Sequence, residues 1–178
     1  MDKLHAFCGP IYLDGWLNVD ISIHHGTDLC ADLLTVDFPE NTFTAIYGCH
    51  GLEHLEYEKG VVEFLSRCHR WLKPGGILRL AVPDLELGAF GYTLKKDLNF
   101  LYGGDFKAYY YKDTLAERLN FFVKAWQHTI CFDYELLSLL LADAGFTVIQ
   151  KKQANESRID GFNHDRFISE SLYVEAIK

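Results

Sequence analysis

The run Leu72-Lys73-Pro74-Gly75-Gly76-Ile77-Leu78-Arg79-Leu80-Ala81-Val82-Pro83-Asp84, read with Lys59 to Leu72 ahead of it, decides the fold. Across Lys59 to Leu72, the residues Val61, Val62, Leu65, Cys68 and Leu72 recur at helical spacing, which predicts an amphipathic helix. Lys73-Pro74-Gly75-Gly76 then stops the helix and turns the chain, a structural task without chemistry. Ile77 to Val82 is a short apolar run closed by Pro83, and reads as a strand. A helix, a tight turn and a buried strand in succession make the repeating unit of a helix-covered parallel sheet.

The same alternation extends in both directions. Upstream, strands are expected at Leu4 to Phe7, Leu17 to Ile21, Asp28 to Ala31 and Phe43 to Gly48. Downstream, Asp133 caps a helix from Tyr134 to Ala144, with Leu136, Leu137, Leu140 and Leu141 as its buried stripe and Gly145 as its left-handed exit. Phe146 to Lys151 and Ser171 to Ile177 follow as strands, with Leu172, Val174 and Ala176 alternating against Tyr173, Glu175 and Ile177 in the last. One connection is odd. Only about nine residues part the first two strands, and a parallel crossover usually takes a dozen or more with a helix. That crossover is therefore a stretched loop, or the strand order differs there.

Composition narrows the function classes. The chain has 178 residues, enough for one domain with a full core, and 49% of them are apolar. Its net charge is -8, from 17 basic and 25 acidic side chains, which repels a phosphate backbone and argues against nucleic acid as partner. No apolar run is long enough to span a membrane. Met1 to Leu4 is charged at once and lacks a signal-peptide stretch, so a cytoplasmic location is expected. Five widely spaced cysteines (Cys8, Cys30, Cys49, Cys68 and Cys131) read as free thiols in a reducing compartment. Between Leu85 and Thr129 the pattern changes. Tyr92, Tyr102 and the run Tyr109-Tyr110-Tyr111 lie there, with a helix whose apolar side is Leu115, Leu119, Phe122, Val123 and Trp126. This is an insert of about residues 85–129 within a single domain, expected to cover a pocket, and a candidate interface for a homodimer.

Several segments, in order, resemble the class I S-adenosylmethionine-dependent methyltransferases. They are Gly15-Trp16-Leu17-Asn18-Val19-Asp20-Ile21, the stretch from Asp37 to Phe43, Ile46 to Leu55 with its Leu52-Glu53-His54, the Leu72 to Leu78 turn, and Val82-Pro83-Asp84. Later come His128, Phe132-Asp133-Tyr134, Ala144-Gly145-Phe146 and the closing strand. The likeness is to a group of small members with an L-E-H after the fourth strand. It implies an α/β, Rossmann-like, doubly wound, mostly parallel seven-stranded sheet with an antiparallel last strand and the first helix reduced to a loop. It also implies S-adenosylmethionine as cofactor and a small-molecule acceptor, methylated on oxygen or nitrogen.

In such a sheet, ligands settle beyond the carboxyl ends of the strands. The Phe7-Cys8-Gly9 turn belongs there, and a bare glycine lets a cofactor approach the backbone. Asp20, at the second strand's end, can accept bonds from both ribose hydroxyls. By resemblance, Asp32 and Leu33 border the adenine, and Cys49 and His50 flank the methionine portion and the acceptor. His50 is the first candidate for the base and His128 the second, because a histidine suits proton removal from an oxygen acceptor. His54 orients or packs. Plainer roles stand beside these: an ordinary turn glycine at Gly9, a strand cap at Asp20 and a helix-type N-cap at Asp32. Two departures mark the chain. Phe7 stands where the group has a glycine, and its ring would occupy cofactor space if that position points at the ligand; Thr44 stands where the group has an aspartate. A fold retained without catalysis, as a binding module, is the alternative. His50-Gly51-Leu52-Glu53-His54 also satisfies the zinc-peptidase pattern H-x-x-E-H, but Gly51 weakens a helix there and no third ligand is evident, so no metal is expected.

Overall fold

The computed structural model of the chain describes residues 1–94 and 111–178. Tyr102, Tyr109 and Tyr110, and the middle of the expected insert, lie outside the described residues. Seven strands form one sheet in the order β3-β2-β1-β4-β5-β7-β6: β1 Lys3–Ala6, β2 Leu17–Asp20, β3 Leu29–Cys30, β4 Phe43–Cys49, β5 Leu72–Pro83, β6 Val148–Lys152 and β7 Ser171–Ile177. Pairs among β1 to β5 are parallel, and β7 runs antiparallel to both β5 and β6. The strand order reverses between β1 and β4, which is where this class of sheet opens a crevice.

Helix α1, Val62–Trp71, is preceded by a π turn, Tyr57–Val61. Its buried face is Phe64, Leu65, Cys68 and Trp71, whereas Val62, expected inside, is half exposed. The reason is the wider π turn, which shifts the face by part of a residue. Helix α4, Tyr134–Asp143, starts as expected: Asp133 accepts from the Leu136 N–H at 2.8 Å, and Gly145 exits at φ 102°. In the insert lie α2, Leu85–Thr93, and α3, Leu115–Lys124. Trp126 is not on that helix. It sits in a following turn at φ 51° and is half exposed.

The two faces of the sheet are covered differently. Helices α1 and α4 press the main core onto one face, through Leu65, Trp71, Leu137 and Leu141 against Ile46, Leu78 and Val174. On the other face, among the described residues, Leu13 and Trp16 from the β1–β2 loop and Ile159 and Phe162 from the β6–β7 loop pack on Ala45 and Tyr47. Both faces of β7 are therefore buried, Tyr173 and Glu175 as much as Leu172 and Val174.

The short crossover is the stretched loop. Asn18, wholly buried on β2, holds it in place of a helix. Its Oδ1 accepts from the Leu13 N–H and from His5 Nδ1, each at 2.9 Å. Its Nδ2 donates to the Leu13 and Trp16 carbonyls and to Asp28. Every polar atom of that amide is thus spent on fixing the loop and the next turn, the condition under which burying an amide is tolerated. Thr44 lies at the far end of β4, where its hydroxyl bonds to the Asp2 carbonyl at 3.0 Å, away from the strand tips. That departure does not touch the crevice. Among the described residues, no helix is long and apolar enough to cross a membrane. The cysteines are all free, with Cys8, Cys68 and Cys131 buried and Cys30 exposed.

Candidate functional site

At the tips of β1 and β2, the Gly9 N–H donates to Asp20 Oδ2 at 2.8 Å, and the Ser22 N–H donates to Asp20 Oδ1 at 2.9 Å. The glycine turn and the aspartate thereby meet. Gly9 has φ +53°, and no heavy atom lies within 4 Å of where a Cβ would stand, so this turn has room for a ligand at the backbone. Each Asp20 oxygen keeps a second lone pair for a hydroxyl donor.

A cavity of about 270 Å³ opens beside this turn, lined by Phe7, Cys8, Gly9, Cys49, His50 and Arg166 among others. Burial pushes the Cys49 thiol up to about 11, so it stays protonated and uncharged at neutral pH. Asp32 and Leu33 do not line this cavity; they follow Ala31, whose N–H donates to the Asp20 carbonyl at 2.9 Å. Asp32 Oδ1 accepts from the Leu34 N–H at 2.8 Å, which is the capping role, and Leu33 is buried in the main core.

The Phe7 ring does not fill the crevice. A left-handed backbone, φ 55°, turns it toward α1, where it packs on Phe64 with ring centroids 4.8 Å apart. There it occupies the space a side chain at residue 51 would need, since a Cβ on Gly51 would collide with the ring. Gly51 itself has φ -138°, outside the left-handed region that favours glycine, so the lack of space is what requires glycine there. Phe7 and Gly51 are one volume exchange. Gly51→Ala should cost about 1–3 kcal/mol in the parent chain and almost nothing in a Phe7→Gly background. Urea unfolding of the four proteins checks it; equal costs in both backgrounds would dismiss the exchange.

A second cavity, of about 340 Å³, lies beyond the tips of β4 and β5 and is lined by His50, Glu53, His54, Phe122, His128 and Glu170 among others. His50 and Phe167 line both cavities, and their rings stack with centroids 4.3 Å apart, forming the wall between them. The Ser171 hydroxyl donates to the Phe167 carbonyl at 2.9 Å, so it accepts from His50 Nε2 at 2.8 Å. This assigns the proton of neutral His50 to Nε2 and leaves a lone pair on Nδ1, 3.8 Å from Glu53 Oε1. Burial, with His128 and His54 nearby, lowers His50 to about 3, and burial lowers His128 to about 4. Both rings are neutral at pH 7. Burial raises Glu53 to about 8 and Glu170 to about 7.

The structure thus brings Phe7, Cys8, Gly9, Cys49 and His50 to one cavity, joins Asp20 to it through Gly9, and sets His128 in the other. Sequence reasoning missed Glu53, Phe167 and Glu170. Glu53 sits inside the H-x-x-E-H segment, but only the fold reveals that its side chain is sealed from solvent. Phe167 and Glu170 belong to the β6–β7 loop, which carries no periodic signal.

Four likenesses to known proteins bear on this arrangement. The family described as "Methyltransferase domain" matches residues 18–80, from β2 to the middle of β5. Phosphoethanolamine N-methyltransferase of Plasmodium falciparum (isolate 3D7) is 45% identical over 47 residues, which are 26% of this chain and 17% of that protein. The chain thus matches less than a fifth of that curated relative's length. Among solved structures, a SAM-dependent methyltransferase from Archaeoglobus fulgidus superposes with a TM-score of 0.60 at 17% identity, covering 99% of this chain and 85% of that one. The 1,6-didemethyltoxoflavin-N1-methyltransferase of Burkholderia thailandensis gives a TM-score of 0.57 at 15% identity over 99% of this chain and 70% of its own. The family match covers the central strands, and the chain shares the fold of these S-adenosylmethionine-dependent methyltransferase structures.

Proposed function

We propose that this protein transfers a methyl group from S-adenosylmethionine to an oxygen or nitrogen of a small molecule. The observation that carries the reading is the pair of cavities sharing His50 and Phe167 as a common wall, one beside the Gly9–Asp20 turn and one behind it. Bound in the first, the cofactor supplies an electrophilic methyl on a sulfonium. The chain's own work is to hold an acceptor in line with it, and positioning alone can supply much of the acceleration. The insert of about residues 85–129 serves as the lid, because Phe122, Trp126 and His128 line the acceptor side. The relatives named above act on small molecules by their own descriptions, which fits a cavity of this size. The setting is the cytoplasm, with no nucleic-acid partner.

His50 is the residue placed to take a proton. It lines the acceptor cavity, Ser171 fixes its ring, and its Nδ1 lies 3.8 Å from Glu53 Oε1. His128 is the second candidate. Because both rings are held neutral, each accepts a hydrogen bond at pH 7 and is a weak base, so orientation of the acceptor is their larger share. The test has two parts. Titration with S-adenosylmethionine, and with its demethylated product, should raise stability by about 2.7 kcal/mol at 100 times the dissociation constant. No shift at millimolar ligand would leave a binding module. His50→Ala should then lower turnover about 10²- to 10⁴-fold with cofactor affinity retained, and His128→Ala less. Parental rates in both would end their assignment.

A further inference from the structure

We propose that Glu53, His54 and His128 form a divalent transition-metal site in the wall of the acceptor cavity, with an open position that takes a hydroxyl-bearing acceptor by its oxygen. One ligand atom from each residue lies within 4.8 Å of the other two, and all three residues line the cavity. The two imidazoles meet edge to face, with centroids 5.0 Å apart.

The cluster is joined from segments distant in sequence and is held rigidly. Glu53 and His54 stand on the single turn Leu52–His54 after β4, and His128 follows the turn Ala125–Gln127. Thr129 clamps the two. Its N–H and Oγ1 donate to the Glu53 carbonyl at 2.8 and 3.1 Å, and Oγ1 also reaches the Leu55 carbonyl. Ligands so fixed need little rearrangement to close on an ion.

An independent observation points to a missing partner. Both carboxylate oxygens of Glu53 are buried without a hydrogen-bond donor, in a side chain with 0% exposure, and His128 Nδ1 is buried without a partner as well. His50 Nδ1 stands 3.8 Å from one of its oxygens, beyond hydrogen-bond distance. Orphaned groups of this kind are rare in folded proteins, and each costs free energy until something satisfies it. One cation between them satisfies both. The outer shell fits too: the backbone at Gln127 and Trp126 accepts from the His54 ring, and that at Phe122 accepts from His128. Ligating histidines are usually oriented by such carbonyl contacts.

Two imidazoles and a carboxylate suit Zn²⁺, Fe²⁺, Co²⁺ or Mn²⁺ better than Mg²⁺ or Ca²⁺, which prefer oxygen alone. Bond lengths of about 2.0–2.1 Å ask the side chains to draw in from their present spacing, a matter of small rotations. The ligand set differs from the H-x-x-E-H reading. There His50 and His54 would bind and the glutamate would act as base, whereas here the glutamate binds, His128 is the third ligand and His50 stays free. An ion in this place would polarise an acceptor hydroxyl beside His50, so that its proton passes to Nδ1 without a strong base. That role rests on the transferase reading; the binding of the ion does not.

Tag-free protein, stripped by chelator and dialysed, should take up about one equivalent of Zn²⁺ or Co²⁺ by calorimetry and elemental analysis, with a visible cobalt absorption band from nitrogen ligands. Glu53→Gln and His128→Ala should each weaken uptake at least about tenfold, and the exposed-site control His25→Ala should not. Should Glu53→Gln fail to fold, His128→Ala and the cobalt spectrum of the parent still decide. No uptake at 100 µM ion (about the affinity of a very weak protein site), or uptake unchanged in folded variants, overturns the site. Cofactor titration of the same samples separates the two readings. S-adenosylmethionine bound without metal uptake removes only the metal site, and metal uptake without cofactor binding removes the transferase.

Discussion

Arg79→Met is expected to destabilise the protein by about 3–5 kcal/mol, a large share of the roughly 5–15 kcal/mol that holds a domain of this size. Arg79 lies on β5 with no exposure, and its guanidinium is used on every side. Nε donates to Asp165 Oδ1 at 3.0 Å, Nη2 pairs with the other Asp165 oxygen, and Nη1 pairs with Glu175 at 2.9 Å. Nη1 and Nη2 also bond to the carbonyls of Glu156 and Gln153. The Phe162 and Tyr173 rings flank the group, at 5.1 and 5.5 Å. Methionine matches the volume but leaves two carboxylates buried without a cation. That, more than the lost attraction, sets the cost. Arg79→Lys should recover only part, because an ammonium cannot match the forked geometry. Adding Asp165→Asn and Glu175→Gln to Arg79→Met should recover more. Urea midpoints at constant slope report the order, and a loss below 1 kcal/mol for Arg79→Met would mean the network contributes little.

Asp20→Ala should weaken S-adenosylmethionine binding by at least about 100-fold, as expected from losing two hydrogen bonds to a charged acceptor at about 1.5–3 kcal/mol each. The carboxylate ties down the Gly9 N–H and retains free lone pairs, which the proposed function gives to the ribose hydroxyls. Its side chain is only 14% exposed, so water competes weakly. Asp20→Asn should fall between, since its amide oxygen keeps one accepting position. Calorimetric affinities within threefold of the parent for Asp20→Ala would reduce the residue to a turn tie.

The strands and the two long helices were legible because apolar spacing, Asp133, Gly145 and the Pro74-Gly75-Gly76 run each left a local mark. β6 starts two residues late, at Val148 and not Phe146, whereas β5 starts five residues early, at Leu72, because Lys73–Gly76 forms an irregularity within the strand and not a turn ahead of it. Val62 was misread because a π turn breaks the helical period on which the reading relied. The site was less legible. The direction of the Phe7 ring depends on one backbone angle, and its seat depends on a glycine 44 positions along. Glu53 was in view, yet nothing local distinguishes a sealed carboxylate from a solvated one. The β6–β7 loop, which supplies Phe167, Glu170 and the Arg79 partner Asp165, is ordered by contacts across the sheet and so has no periodicity to detect.

The amide of Asn18 makes one further property of the molecule intelligible. Where a crossover helix would be ordered turn by turn through its own backbone, this connection is ordered from beneath by a single knot that also grips Asp28. Such a connection loosens all at once or not at all. The Cys8–Gly9 corner, the proposed berth of the methyl donor, should therefore open together with that connection.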